Sequence, residues 1–481
     1  MKDEKKECLC PRCPSYPDHG DGEVLFCARG SSRYEVNEMG CLCASCEIYR
    51  EYDLKELYFC NTEPYDGIRM RRRRSSEDPA DYRKIIHIKK AAESGESVVE
   101  SMGSEKRLPV GLDDLHFIPA QVSEIPLNPD ENVNTGIIIG KDSRRPLKLS
   151  SPVMISGMSY GAVSRKTRQA IASAARDLGI GFNSGEGGVL EYELNEAGRQ
   201  LIVQYSTGRF GITEDILRKA AAIEIRFGQG AYPGKGSYLP PEKISRDVAR
   251  VRGLEEGEGS YSPAHHPDIR DPEELAEKVS WLRSLNRGAP VGAKIGCGNV
   301  EDDVRTLIEA GVDFISLDGF GGGTGAVNPH IRDNTGIPLV AAIPRAVKTI
   351  INEGSGDRVS LIAGGGLRTG ADIAKCLALG ADAAYIGTAA LIAINCQQHR
   401  LCHTGKCPTG ITTHDPSLLR HMNPEEAAER LKNYIKVLNH EIADFARIVG
   451  KDDVKKLNHE DLVALTRETA ELTGTRWLNG N

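Results

Sequence analysis

The feature that most constrains the fold is a series of eight short apolar runs, each ending in polar or glycine residues and separated by helix-like stretches. They are Val153–Ser156, Ile180–Ser184, Leu201–Ser206, Ile223–Phe227, Val291–Ile295, Phe314–Asp318, Ser360–Ala363 and Ala384–Gly387. Strands that alternate with helices in this way pair in parallel, and a span of about 240 residues fits a single (β/α)8 TIM barrel of roughly 250 residues. An open doubly wound sheet is the alternative. The intervening segments Ser164–Leu178, Pro272–Leu285 and Glu301–Glu309 place apolar residues at i, i+3 and i+4, the spacing of one helix face.

The last two runs carry chemistry. Val359–Ala363 ends in Gly364, Gly365 and Gly366; a helix-like segment, Ala371–Leu379, follows; Ala383–Ile386 then ends in Gly387 and Thr388. Bare backbone amides at two parallel strand ends, beside a helix start, make a phosphate site. In a barrel that site follows strands seven and eight. Directly behind stand Cys396, Cys402 and Cys407 in C-x5-C-x4-C spacing, a pattern that suggests an iron–sulfur cluster.

An internal repeat occupies the first 60 residues. Cys8, Cys10, Cys13 and Cys27 recur 33 positions later as Cys41, Cys43, Cys46 and Cys60, and Tyr16 and Phe26 recur as Tyr49 and Phe59. Identical spacing in both copies predicts two four-thiolate sites, each taking a [4Fe-4S] cluster or a structural zinc ion. A pair of CxxC redox disulfides is a further reading. The ligands either stay within each repeat or interleave, three from one copy and the fourth from the other.

The chain has 481 residues and a net charge of −7, so general nucleic-acid binding is not indicated. Its start, MKDEKKECLCPRC, has no apolar core and is not read as a secretory signal, and no run of about 18 apolar residues predicts a membrane span. Of the 13 cysteines, all but Cys297 and Cys376 fall in the patterns above, which suggests cofactor ligands in a reducing, cytoplasmic setting. The predicted organisation is a duplicated cysteine module over 1–66 and a basic linker over 67–104. The barrel follows over 105–415, and a C-terminal helical segment over 416–481. The linker contains Arg69 and Arg71–Arg74, followed by Ser75–Asp78; its charge run is a solvated stretch or a docking patch for an acidic electron carrier. Leu108–Leu149 reads as short strands wrapped on the barrel, and the tail from Asn423 as two or three amphipathic helices with Asn423 as N-cap.

The ends of the eight runs are SGMSYGAVS, NSGEGG, STGRFG, GQGAYPGKG, a strand containing Lys294, DGFGGGTGA, and the two phosphate loops. So many glycine-rich strand ends in series let backbone approach a flat ligand. The motifs Gly157–Ala162, Asn183–Gly188, Gly208–Gly211, Gln229–Gly234, Ser262–Ile269, Asp318–Ala326, the GGGLRTG loop and Cys402–Ile411 together resemble the flavin-binding synthase domain of glutamate synthases, particularly the stand-alone archaeal type. The resemblance runs from about Leu108 through the ETAELTG tail.

That resemblance implies FMN over the barrel, a [3Fe-4S] cluster on Cys396, Cys402 and Cys407, and reduction of 2-iminoglutarate, made from 2-oxoglutarate and ammonia, to L-glutamate. It implies that Met158, Ser159, Tyr160 and Asn183 line the flavin ring, and that Gln229 bonds its polar edge. Gly323, Thr324, Gly364–Gly366, Gly387 and Thr388 complete the cofactor site. Lys294 is the catalytic cation under the ring, and Glu186 a gating or proton-carrying acid. Strand four departs from the family pattern: Tyr232, Ser237 and Tyr238 occupy positions where a lysine and a glutamine help hold the substrate carboxylates, and a lysine appears at Lys235 instead. Arg252 matches the downstream arginine that grips substrate. Either Lys235 supplies the lost cation or the substrate is another 2-oxo acid or amine, as in an N-methylglutamate synthase-like enzyme. A non-catalytic electron-transfer subunit is the third reading. With Met1-Lys2 at the start in place of an amidotransferase cysteine, ammonia is expected from solution or a separate glutaminase subunit. Electrons are expected from a ferredoxin or an NAD(P)H-oxidising partner, by way of the N-terminal cysteines. The glycines of GFGGGTGA end a barrel strand and are not read as a dinucleotide fold. Adjacent His265 and His266 are read as structural.

Overall fold

The computed structural model describes residues 8–17, 23–32, 34–52, 54–61 and 79–480, with side chains from residue 84 onward in the last stretch. The arginine run Arg69 and Arg71–Arg74, with Ser75–Asp78, lies outside the described residues. Two compact units emerge, Met1–Val98 with Gln397–Arg400, and Val99–Cys396 with Leu401–Asn481.

In the first unit the repeat in sequence is a repeat in structure. A 3-10 turn at Cys10–Arg12 recurs at Cys43–Ser45, and the helical turn at Phe26–Arg29 recurs as a 3-10 turn at Phe59–Asn61. The core is small: Phe26, Leu54, Phe59 and Cys60 form one buried cluster, and Leu25, Cys46 and Ile48 another. Within the stretch read as a linker, Pro79–Ser94 is an α-helix. The residues ADYRKIIHIKKAAES are good helix formers without Gly or Pro, and local propensity accounts for the helix.

The second unit is built on fifteen strands numbered in chain order. Three precede the barrel: β1 (Leu115–Phe117), β2 (Ile137–Ile139) and β3 (Leu147–Leu149). The barrel strands are β4 (Val153–Ile155), β5 (Phe182–Asn183), β6 (Leu201–Ser206), β7 (Ala222–Arg226), β10 (Val291–Gly296), β11 (Phe314–Asp318), β12 (Ser360–Gly364) and β13 (Ala383–Ile386). They close in that order, all parallel, with β13 paired to β4. All eight predicted runs are therefore strands of one closed barrel, and the open sheet is excluded. The hairpin of β8 (Tyr238–Leu239) and β9 (Ser260–Tyr261) lies in the long connection after β7.

The floor of the barrel is sealed by the β2–β3 hairpin. Its inward residues Ile137, Ile139, Leu147 and Leu149 share a buried cluster with Ala222, Phe314 and Ala383, the first residues of three barrel strands. With the amino-terminal end filled by apolar side chains, an open site is left to the carboxyl ends. Helix Pro424–Ile448 then covers one side: Asn423 caps it, accepting from Glu425 N and Glu426 N, and Leu431, Ile435, Leu438 and Ile442 bury one face. Beyond that helix the tail departs from the all-helical expectation. β14 (Leu462–Ala464) pairs antiparallel with β1 and parallel with β15 (Arg476–Trp477), and only Arg467–Thr473 is α-helical.

Candidate active site at the carboxyl ends of the barrel strands

The strand ends converge on one cleft. It is lined by Gly157, Met158 and Ser159 after β4, Glu186 after β5, Gln204 on β6, and Arg226, Gln229 and Tyr232 at the end of β7. The far side is made by Gly323 and Thr324 after β11, and by Gly387 and Thr388 after β13. Arg252, Cys396 and Cys402 complete it. Most of the predicted cofactor residues are therefore brought together.

Several others stand elsewhere. Tyr160 is 2% exposed and packs with Leu239 and Val248; its hydroxyl donates to Asp247 Oδ2 at 2.5 Å, outside the cleft. The loop Gly364–Gly366 does not line the cleft either. Gly365, at φ +120°, lies so close to Gly319 that a Cβ would meet its carbonyl oxygen at 2.6 Å, so only glycine fits. Lys235 is exposed and its Nζ donates to Asn328 Oδ1 at 2.5 Å, so it does not replace the cation missing at Tyr232.

Asn183 and Lys294 sit below the cleft, inside the barrel, in a buried polar layer that the apolar runs conceal. Glu224 on β7 is its hub, accepting from Asn183 Nδ2 at 2.8 Å, Gln204 Nε2 at 2.9 Å and Ser316 Oγ at 2.9 Å. Lys294 Nζ lies 2.9 Å from Asp318 Oδ2. Burial opposes its charge, but the carboxylates of Asp318 and Glu224 outweigh that and hold the ammonium above its ordinary range. The cleft thus stands over a fixed cation.

Above this layer is an ionic cluster. Arg226, 3% exposed, lies 3.5 Å from Glu186 Oε1 and donates from Nη1 to Gln229 Oε1 at 3.0 Å and to the Tyr232 hydroxyl at 3.4 Å. Ser237 donates to the other Glu186 oxygen. Burial works against the Glu186 charge, yet Arg226 and the Ser237 bond keep the carboxyl below its usual range, so it is ionised at neutral pH. Arg252 stacks 4.6 Å over the Phe210 ring and donates to Tyr160 O at 3.1 Å. Burial lowers it to about 10, so it remains a cation. The two guanidinium groups face Glu186 within the cluster, and Arg226 also feels Glu224 from the layer below. Arg226 Nε, Arg252 Nε and Glu186 Oε1 are buried without a hydrogen-bond partner, a state that is costly unless a ligand completes it. Arg226, Glu224, Gln204 and Lys243 were not singled out from sequence. The signal was there, since LIVQYS and AIEIR carry polar residues in strands buried on both faces.

The residues also fit the implied cofactors. At Gly323 a Cβ would meet Thr388 Oγ1 at 2.8 Å, and at Gly157 it would meet Asn183 Oδ1 at 2.7 Å, so bare backbone forms the walls as a flat ring requires. The cysteine loop supplies three thiols and a neighbouring cation. Lys243, 1% exposed, donates from Nζ to Ala162 O at 2.6 Å and Cys402 O at 2.8 Å. Burial lowers it to about 8 while Cys402 and Cys407 draw it upward. Burial raises the Cys402 thiol, whereas Cys407, despite its burial, is held down by bonds from Thr409 and Thr412. A cation and hydroxyl donors around thiols suit an anionic thiolate centre. Among the described residues, no three His, Cys, Asp or Glu side chains already stand as a closed set of metal ligands.

Comparison with known proteins agrees with this architecture. The conserved region in glutamate synthase matches residues 81–452, and residues 8–61 match a protein family of unknown function (DUF2769). A glutamate synthase large subunit-like protein of Rhizobium meliloti is 37% identical over 420 residues, covering 82% of this chain and 95% of that protein. The archaeal-type glutamate synthase [NADPH] of Thermotoga neapolitana is 36% identical over 395 residues, 78% of each chain. The archaeal glutamate synthase [NADPH] of Archaeoglobus fulgidus is 36% identical over 414 residues, 81% of each. A sealed barrel floor, a cleft with two buried arginines at the strand ends and matches of this length together make the chain a member of the glutamate synthase family, with a cysteine-rich module at its amino-terminal side.

Proposed function

We propose that the chain is an FMN-dependent oxidoreductase that reduces the imine of a 2-oxo acid to the amino acid, with 2-oxoglutarate and ammonia giving L-glutamate. The observation that carries this reading is the buried Arg226–Arg252 pair, whose unpartnered Nε groups line the cleft. Guanidinium edges in a dry site select carboxylates. FMN, when bound, supplies the hydride, and the cysteine loop a [3Fe-4S] centre for electron delivery from reduced ferredoxin or an NAD(P)H-oxidising partner.

The chain's own residues then have separable tasks. Arg226 and Arg252 bind and orient the substrate carboxylate, and Glu186 holds Arg226 in place through its ionic contact. Lys294, held in place by Asp318, sets a fixed ammonium beneath the cleft that can stabilise negative charge developing above it. Glu186 is ionised and holds no proton to give. Tyr232 is the proton carrier the geometry offers: it lines the cleft, and burial raises its pKa so that it stays protonated at neutral pH. Ammonia condenses with the 2-oxo acid with loss of water, and the imine carbon takes the hydride while its nitrogen takes a proton.

A second reading is favoured by Tyr232 and by the outward-facing Lys235, which leave a carboxylate-binding lysine of the family unreplaced. In that reading the same chemistry acts on a different 2-oxo acid or amine. The deciding experiment is anaerobic purification with flavin and iron quantified, then reduction with dithionite and rapid mixing with 2-oxoglutarate and ammonia. Flavin reoxidation with equimolar glutamate supports the first reading. Reoxidation only by another 2-oxo acid with an amine supports the second, and flavin inert to every such pair defeats both.

A further inference from the structure

The N-terminal unit repeats more than its cysteine spacing. Leu25 and Tyr58, 33 positions apart, both adopt left-handed backbone, at φ 61° and 55°. Such φ values are uncommon for residues other than glycine and carry a conformational cost. At each position the strained backbone aims an amide at a sulfur: Leu25 N donates to Cys8 Sγ and Tyr58 N to Cys41 Sγ, both at 3.3 Å. Strain repeated twice for the same N–H···S contact indicates that the two sulfurs need electron-accepting neighbours, as thiolates do.

The second observation is which thiols meet. The cysteines are free thiols; Cys10 donates a hydrogen bond to Cys8, and Cys41 donates one to Cys43, each within its own repeat. The third cysteine crosses over. Cys13 donates to Cys41 of the other copy, and Cys60 lies in the field of Cys13 and Cys41. By the same relation, Cys27 lies in the field of Cys8 and Cys46, and Cys46 is buried in one cluster with Cys8 and Cys27. All eight sulfur-bearing residues line a single cavity.

We propose that this unit holds two four-thiolate metal centres that exchange their third cysteine, one on Cys8, Cys10, Cys27 and Cys46, the other on Cys41, Cys43, Cys60 and Cys13. The ligand is a thiophilic metal centre, an iron–sulfur cluster or a zinc ion. Among the described residues no ligand set is already closed, so each site forms as its thiols lose their protons to the incoming metal. Neither centre is complete without both repeats, so metal at either one ties the two halves together. The inference is independent of the substrate read for the barrel.

The test uses the full-length chain and two double variants sharing one substitution, Cys27→Ser/Cys46→Ser and Cys13→Ser/Cys27→Ser. The chains are reconstituted anaerobically with iron and sulfide in one arm and with Zn2+ in the other, and metal at the N-terminal cysteines is taken as the difference from a chain with all eight replaced by serine. Exchange predicts that Cys27→Ser/Cys46→Ser loses half of that metal, whereas Cys13→Ser/Cys27→Ser damages both centres. Ligands kept within each repeat predict the reverse, and that result overturns the proposal, as does the absence of N-terminal metal in both arms. A readout without substitution guards against misfolding: the wild-type chain, half-loaded and alkylated, is read by peptide mass spectrometry. Cys46 must be protected together with Cys27; protection of Cys46 together with Cys60 refutes exchange.

Discussion

Replacing Glu193 by glutamine tests a fully buried ion pair behind the cleft loops. Arg168 and Glu193 have side chains 2% and 0% exposed, with Arg168 Nε 2.5 Å from Oε1 and Nη2 2.6 Å from Oε2. The remaining guanidinium nitrogen donates to Ser184 O at 2.6 Å and Met158 O at 3.1 Å, so the arginine joins the loops after β4 and β5. Glutamine keeps the shape but removes the counter-charge and turns an amide donor toward a donor. Breaking a fully buried pair at one partner costs about 3–5 kcal/mol, against a total stability for ordinary domains of roughly 5–15 kcal/mol. The assay is urea unfolding of the full-length wild type and Glu193→Gln at neutral pH, at low salt and at about 1 M, where exposed charges are screened beyond roughly 3 Å. A loss of several kcal/mol that persists at high salt is expected. A loss below about 1 kcal/mol, or one that vanishes with salt, would refute the argument, because only an exposed pair is that weak.

Three further outcomes follow from the geometry. Arg226→Gln should raise the KM for the 2-oxo acid about ten- to hundredfold, the value of one charge-assisted bond, in steady-state assays; an unchanged KM removes Arg226 from substrate binding. His266, whose Nε2 faces Arg226 O at 2.9 Å and whose Nδ1 faces Arg209 Nη1 at 2.8 Å, is lowered from 6.5 to about 4 by burial and by Arg209. Because the unfolded chain takes up the proton first, its contribution to stability is intact above about 6.5 and is lost as pH falls toward about 4. Unfolding free energies measured across that window should fall more steeply in the wild type than in His266→Gln, and parallel curves would refute the assignment. Lys243→Met removes the cation beside Cys402 and Cys407 and should make the potential of a centre there more negative, on the order of 50 mV, in an EPR-monitored redox titration. A potential that does not move would show that the lysine serves packing alone.

The barrel was legible because its strands are buried on both faces and stop at polar or glycine residues, a pattern that survives whatever the ligand. β5 shows the limit: Ile180–Ser184 is apolar enough for five residues, but only Phe182 and Asn183 are in the strand. The cleft was legible at some glycines that mark close approach of backbone, as at Gly157 and Gly323, though not at Gly365, which packs on Gly319 instead. Polar residues inside strands were harder to read. Lys294 stood out in VGAKIG, yet Glu224 and Arg226 in AIEIR obey the same rule and hold the ionic centre. Tyr160 shows the converse: its place in a glycine-rich motif suggested the cleft, and its bond to Asp247 turned it away. Lys243 was beyond sequence reading altogether, since a lysine in a polar loop gives no sign that tertiary contacts will bury it beside two cysteines.

The pairing of β1 with β14 joins Leu115 to Ala464. Every residue of the barrel lies between these two strands, so the pair closes a loop that encloses the whole catalytic framework. Chain entropy must be surrendered over that entire length before the contact forms, and contacts of such separation come late. During synthesis β1 emerges early and waits as an unpaired edge until β14 is released, an interval in which it is exposed to mispairing. A chain cut short after helix Pro424–Ile448 would retain every cleft residue and still leave β1 without its partner strand.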